Sequence, residues 1–403
     1  MSDTAPLDAA EQRMLEEARS RDATMRADLA AWVAIPTGRG HAAGVDRFRE
    51  LLTGRLARLG ASRRDVEGDP RPAWLPIDAA AADGPIPATS LLERAGEGVR
   101  FLLAGHLDTV HDPHGAFQRL EPIGGDRATG PGAADMKGGL LVATVALELL
   151  ESIGEPVAWT FALNADEETG SFHSARALDE AARRHDVGLV FEPALPGGAL
   201  AIERMGAGQF RIDCHGRAAH VGRDFPHGVS AVSALARCLV RIAELPDADR
   251  GTVANVGPIS GGAATNIVPE RAIAWGNVRF RDASGADHLG REIGALATER
   301  GAMPEVHVEY LANRPVKPCT PAVESLAREA RRIAEAIGFE LPFGSTGGVC
   351  DGNILQSAGL PTLDNLGVRG GNLHRLDEFV ELDSLSERAA LAAILIRRLR
   401  RRR

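Results

Sequence analysis

The stretch VRFLLAGHLDTV (Val99–Val110) decides the fold, because a short apolar run ends on a glycine and a histidine and an aspartate follow at once. Two later runs have the same form, PVAWTFALN (Pro156–Asn164) and VGLVF (Val187–Phe191). Runs this short and this continuously apolar read as strands buried on both faces, not as the alternating strands of a half-exposed sheet. Between the first two lies Lys137–Ile153, apolar and too long for a strand, hence a buried helix. Between the second and third, Ser171–Arg184 reads as a more polar helix. The alternation predicts an α/β fold with a mostly parallel sheet and helices on both of its faces. Asp69–Arg94, rich in Pro, Ala and Gly, reads as an irregular surface excursion with one edge strand.

The pattern changes near Gly206. Strand GQFRIDCHG, helix Gly228–Leu245, strands GTVANVGPI and RAIAWGNVRF, helix His288–Arg300 and strand EVHVEYL follow in order. That β-α-β-β-α-β series predicts a ferredoxin-like α+β unit. Asn313–Pro321 reads as the return linker, and the amphipathic helices Ala322–Ile337 and Leu385–Arg398 flank one more buried strand, Leu360–Leu366. A chain of 403 residues exceeds one ordinary core. The expected organisation is a larger domain in two parts, 1–205 and 316–403, with a smaller domain at 206–315 inserted between them.

Aromatics make up only 4% of the chain, so the core must be built from Ala, Leu, Val and Ile. A net charge of −9 without a dominant basic face argues against a nucleic-acid partner. The run Arg397–Arg403, broken only by Leu399, reads as a solvated helix end whose cations complement the macrodipole. The polar opening MSDTAPLDAAEQRMLEEARS reads as a surface helix, and no apolar run is long enough to span a bilayer. Cys214, Cys238, Cys319 and Cys350 are scattered without C-x-x-C spacing, which suits a reducing cytoplasm better than a disulfide framework.

Ligands of an open parallel sheet sit beyond the carboxyl ends of its strands. His106, the pair Glu167–Glu168 and Glu192 each follow one of the apolar runs, and His374 follows Leu360–Leu366. Asp135 occupies a glycine-rich turn, GPGAADMKGG (Gly130–Gly139), at the start of the buried helix. Taken singly, each has an ordinary explanation: a hydrogen-bonded H-x-D pair, a solvated pair of glutamates, an acid capping a helix. Together they bring several carboxylates to one rim, where their mutual repulsion would raise their pKa values. Two divalent ions remove that conflict, since Asp135, Glu168, Glu192 and one hydroxide balance their charge.

GHLDTV, GPGAADMKGG and NADEETGS (Asn164–Ser171) resemble the motifs of the M20 family of zinc metallopeptidases and deacylases, and the likeness runs from about Trp32 to the C-terminal helix. The resemblance implies two Zn²⁺ per subunit, with Co²⁺ or Mn²⁺ as substitutes. His106 and Glu192 would hold one ion, Glu168 and His374 the other, and Asp135 would bridge them. Asp108 would orient His106, and a non-proline cis peptide is expected at Asp135–Met136. Glu167, beside a ligand but not itself one, would be the general base.

In the inserted unit, His220 resembles a lid histidine that stabilises the oxyanion, commonly from a neighbouring subunit. Asn266 and Arg279 resemble substrate-holding residues, with Arg279 on a free carboxylate. The loop Gly344–Gly348, including Gly347 and Gly348, resembles a pocket lining whose amides could form an anion nest. His111, His114 and His173 match no required position and read as rim residues. Glutamate at 192 goes with carboxypeptidases and N-deacylases, aspartate with aminopeptidases and dipeptidases. The expected enzyme is a cytoplasmic homodimer releasing an amino acid from an N-acyl amino acid or short peptide, with no nucleic acid or membrane partner. A ureido or carbamoyl amidohydrolase of the same family is the nearer rival, and a non-catalytic binding homologue the farther one. A nicotinamide oxidoreductase is set aside, since no G-x-G-x-x-G follows the first strands.

Overall fold

The computed structural model of the chain describes residues 6–75 and 85–401. Part of the predicted excursion, residues 76–84, therefore lies outside the described residues, as do residues 1–5 and the last two arginines. Three helices open the chain, α1 (Ala9–Ser20), α2 (Asp22–Val33) and α3 (Ala42–Ala57). Asp8 caps α1 in a capping box with Glu11, satisfying amides that the first turn would otherwise leave bare.

Five strands of the main sheet follow: β1 (Ser62–Val66), β2 (Thr89–Arg94), β3 (Arg100–His106), β4 (Ala158–Asn164) and β5 (Val187–Val190). Between them run α4 (Gly139–Ser152) and α5 (Ala175–Ala182). The chain then builds a second sheet from β6 (Gly206–His215), β7 (Thr252–Gly261), β8 (Arg271–Phe280) and β9 (Glu305–Arg314), with α6 (Ala231–Ala243) and α7 (Ala283–Gly294) between its strands. It returns through α8 (Pro321–Ile337), α9 (Asp351–Ser357), β10 (Thr362–Leu363) and α10 (Ser384–Arg400).

The main sheet has the order β1-β2-β4-β3-β5-β10. Its last four strands are mutually parallel, while β1 and β2 pair antiparallel on one side. This corrects one expectation: β2 is not an edge, because the charged segment SRRDV lies outside it as β1. Arginines and an aspartate suit that position, since they blunt an exposed strand edge. Successive residues of β3 serve opposite layers. Phe101 and Leu103 pack with α1–α4, α8 and α10, whereas Leu102 and Ala104 pack with α5 and α9. The α/β sandwich read from continuous apolarity is thus the observed one.

Helix α10 departs from its amphipathic reading. Residues Ala389 to Ile396 are all buried, because α10 lies inside the helical layer against α1, α2, α4 and α8. Its arginine end is solvated only in part: Arg401 is exposed, but Arg397 and Arg398 are largely covered. Arg397 is 2% exposed and bonds Glu155 and Asp8, while Arg398 bonds Glu11 and Glu329. The chain's two ends are held together by this cluster.

The second sheet has the order β7-β8-β6-β9, every neighbour antiparallel, as a ferredoxin-like unit requires. Both α6 and α7 cover one face, where Phe210, Ile212, Val278 and Phe280 make a separate core with Leu235 and Leu289. By alternation, Gln209, Arg211, Asn277 and Arg279 belong to the other face. Among the described residues no helix is long and apolar enough to cross a membrane.

Candidate metal centre

His106 is the last residue of β3 and is buried. Its Nδ1 donates to the Asp108 carbonyl oxygen at 2.9 Å, so Nε2 is the nitrogen presented to the rim. The Asp108 carboxylate lies at 3.5 Å from the same Nδ1. Its oxygens also accept from the amides of Glu167 and Glu168 at 3.3 and 3.1 Å, which the sequence reading did not include. Asp108 therefore ties the loop after β3 to the turn after β4.

Asp135 stands at the centre. Its Oδ1 is 3.1 Å from His106 Nε2 and its Oδ2 is 3.4 Å from His374 Nε2. Glu168 lies 3.2 Å from His374, and Glu192 lies 3.8 Å from His106. All five sequence-predicted ligand positions therefore meet, although they come from five separate segments. The peptide Asp135–Met136 is cis. Close packing sets Glu192: a Cβ on Gly139 would stand 1.9 Å from the Phe191 carbonyl oxygen, so only glycine lets the start of α4 approach this segment. His374 adopts left-handed backbone at φ 65, a conformation costly for a residue with a Cβ.

The electrostatics match crowded carboxylates. Burial, reinforced by the Asp135 charge, pushes Glu192 well above the usual range. Burial raises Glu168 as well and takes Glu167 up to about 8. Burial also acts to raise Asp135, but hydrogen bonds from His106 and His374 outweigh it and lower the group. Hydrogen bonds to Asp135 and Glu168 lift His374 to about 10. The rim without a cation thus favours protonated imidazoles beside carboxylates. Imidazole nitrogen and carboxylate oxygen are the donors of a zinc-type site. Ligand atoms of His106, Asp135 and Glu168 already lie within 4.8 Å of one another, so the residues fit such an ion.

A cavity of about 660 Å³ opens in front of this rim, lined among others by Glu167, Glu168, His374, Arg279 and Gly348. Arg279 and Gly348 are where the sequence reading wanted them. His220 and Asn266 are not among the lining residues; both are exposed, His220 on the two-stranded ribbon Ala219–His220/Ile267–Val268 and Asn266 just before it, where the Val221 amide donates to the Asn266 carbonyl at 3.0 Å. The nest reading of the glycine loop is corrected at Gly348, whose amide donates to Thr346 Oγ1 at 3.1 Å inside the loop. His111 is also no rim residue: it is buried, 2.6 Å from Glu378.

Three functional candidates were missed. Glu378 is buried and accepts from the amides of Ala134 and Asp135 at 2.9 and 3.1 Å, fixing the turn that carries Asp135. Arg314 is buried, with Nη2 2.9 Å from Glu167 and Nη1 3.0 Å from Asp351. Arg314 sat in a presumed linker and Glu378 in a polar loop, settings in which charged residues ordinarily face water. Arg204, the third, is buried on Asp364 and donates to the Gly348 carbonyl at 3.1 Å, supporting the pocket loop from behind.

The profile of peptidase family M20/M25/M40 matches residues 102–398. Carboxypeptidase G2 from Pseudomonas sp. is 26% identical over 377 residues, covering 90% of this chain and 86% of the relative. Succinyl-diaminopimelate desuccinylase from Paracoccus denitrificans is 31% identical over 332 residues, covering 75% and 84%. Among solved structures, a tripeptidase from Staphylococcus aureus superposes with TM-score 0.74 at 21% identity, covering 94% of this chain and 99% of that one. An M20 family metallo-carboxypeptidase from Sulfolobus solfataricus gives 0.69 at 16% identity, covering 92% and 98%. These two likenesses bear on the fold alone.

Proposed function

Since the chain belongs to peptidase family M20/M25/M40 and is a hydrolytic enzyme, we propose that it is a dinuclear zinc amidohydrolase that releases a free amino acid, as a carboxypeptidase or N-acyl-amino-acid deacylase. The observation that carries this reading is the Asp135 carboxylate, whose two oxygens face two different histidines. One carboxylate shared in this way is what a pair of ions needs. His106 and Glu192 would hold one ion, Glu168 and His374 the other, with Asp135 between. When bound, the ions would supply Lewis acidity, making a water more acidic and polarising the scissile carbonyl.

The chain's own groups would do the rest. Glu167 takes a proton from the attacking water and returns it to the departing amine nitrogen. Arg314, bonded to Glu167 Oε1, fixes that carboxylate so that it does not swing towards the ligands. Arg279 binds the substrate's free carboxylate from the cavity wall. His220 and Asn266 would act on the oxyanion and the substrate in a dimer.

Residues 206–315 are then a lid and dimerisation domain joining two copies. Its outer strand β7 is largely exposed and carries Val253 and Ile259, and α6 exposes Val232 and Val240. An unpaired strand edge with apolar neighbours suits pairing with a second copy. The scattered cysteines suit a reducing cytoplasm.

Chelation tests the reading. EDTA should abolish release of amino acid from N-acyl amino acids, and Zn²⁺, Co²⁺ or Mn²⁺ should restore it. Undiminished hydrolysis by metal-free protein would overturn the proposal. A panel of acyl-glutamate, acetylornithine-like, aromatic acyl and carbamoyl substrates would separate deacylase from ureido chemistry.

A further inference from the structure

The inserted unit joins the main body by two crossings, 204–206 going out and 314–317 coming back. They run side by side, since the amides of Arg204 and Lys317 each donate to the other's carbonyl, at 2.9 and 3.0 Å. Both crossings rest on the first turn of α9, whose Asp351 and Asn353 do not line the cavity.

Asn353 is buried, and its amide nitrogen donates to the Met205 carbonyl at 2.9 Å and to the Pro315 carbonyl at 2.7 Å. Each crossing thus receives one of that nitrogen's two hydrogens. The Asn353 oxygen accepts from the Cys350 amide at 3.0 Å, which fixes the way the side chain faces. Asp351 is also buried and takes the side chain that leaves the return crossing, its Oδ1 lying 3.0 Å from Arg314 Nη1. Ser171, in the turn after β4, donates to that same oxygen at 2.6 Å and accepts from Arg314 Nη2 at 2.6 Å. Arg314 Nη2 also donates to Glu167 Oε1 at 2.9 Å. One buried network therefore runs from α9 through the return crossing to the base.

Arg314 is the final residue of β9 and pairs with Ala207 of β6, so its guanidinium travels with the second sheet. A shift of that sheet against α9 would pull on the group that holds the base. Buried ion pairs are demanding in geometry, and loss of either partner strands the other charge. We propose that Asp351 and Asn353 are positioning residues: from the first turn of α9 they seat the inserted unit on the main body and, through Arg314, hold the Glu167 carboxylate at the metal rim. The inference rests on the amidohydrolase reading, which gives Glu167 its proton-carrying role. Asp351 acts on Arg314 directly, and Asn353 acts through the neighbouring Pro315.

Asp351→Asn and Asn353→Ser test the seat on the N-acyl amino acid that the zinc-loaded parent hydrolyses best. Each should lower kcat by roughly tenfold to a hundredfold, the size expected for a misplaced reacting group, with KM and bound zinc unchanged. In a Glu167→Gln background the same substitutions should cost almost nothing, because no base is left to hold. An undiminished loss in that background, or a loss that tracks missing zinc, would overturn the proposal. Should Asp351→Asn fail to fold, Asn353→Ser removes only neutral hydrogen bonds and carries the same test. Crystal structures of the zinc-loaded variants read the seat without turnover: the Glu167 carboxylate should part from Arg314 Nη2. A parent that hydrolyses nothing, with Glu167 still displaced in the variants, would fault the amidohydrolase reading and leave the seat standing. Hydrolysis with kcat and the Glu167–Arg314 contact intact in both variants would sink the seat alone.

Discussion

The rim of the main sheet and the two-stranded ribbon Ala219–His220/Ile267–Val268 make opposite use of their candidate residues. At the rim, Asp135 and Glu192 are buried 3.1 and 3.8 Å from the buried His106, although positions 106 and 192 stand 86 apart in a chain of 403 residues. On the ribbon, His220 and Asn266 are exposed and bond residues of the ribbon and its adjoining turn. A parallel sheet gathers strand ends at one edge whatever the sequence distance, so one copy of the chain assembles that site. A two-stranded ribbon has no such convergence and needs something laid against it. The rim is a property of the chain; the ribbon, on our reading, is a property of the dimer.

The strongest way to break the rim half of this contrast is Glu167→Gln. Turnover should fall by about 10²–10⁴-fold, the range for a general base. Bound metal should stay unchanged by elemental analysis, because Glu167 is not proposed as a ligand. Full activity would remove the base and leave the site without a proton carrier.

The ribbon half is sharpened by mixing inactive proteins. His220→Ala alone should cost about 10²–10³-fold, as loss of an oxyanion donor does. Subunit exchange between His220→Ala and Glu167→Gln should then revive roughly a quarter of the sites, since one site in each mixed dimer is intact. No recovery after verified exchange would place His220 in the same subunit as its Glu167, or outside the reaction.

What the sequence showed follows the same line. The continuous apolarity of VRFLLAG, PVAWTFALN and VGLVF announced strands with both faces covered, and the residues after them had nowhere to go but the rim. Asp135 was legible through its flanking glycines, which allow the backbone approach seen at Gly139. Arg314 and Glu378 were not legible. Each is a charge in a polar stretch, and nothing in one dimension distinguishes a solvated charge from one buried on a distant partner such as Asp351 or the Asp135 amide. The arginine tail misled for the same reason, because its partners Asp8 and Glu11 lie at the other end of the chain.

Glu378 offers a finer test of the rim. Its carboxylate holds the Ala134–Asp135 turn by backbone amides and pairs with His111, without lining the cavity. Glu378→Gln keeps the shape but weakens the acceptor, so zinc affinity measured by chelator competition should drop by roughly 10–100-fold. The thermal midpoint of the metal-free protein should move little by comparison. An unchanged affinity would mean that the turn holds Asp135 without help.

The smallest expected effect concerns neither site but the clasp between the chain's ends. Burial acts to raise Asp8, yet the hydrogen bond from Arg397 prevails and brings its pKa to about 2. A carboxylate depressed in the folded state contributes stability above its unfolded pKa and loses it as pH falls through the folded value. The contribution should therefore be complete above about pH 4 and fade towards pH 2. Because Asp8 is 46% exposed, solvent screening holds it to about 1 kcal/mol or less. Asp8→Asn should lower the unfolding midpoint slightly at pH 7, and the difference from the parent should vanish at the acid end. A gap that stays constant with pH would rule out the Asp8 charge, and with it the ion pair to Arg397, as the source of the loss, since Asn keeps the α1 cap.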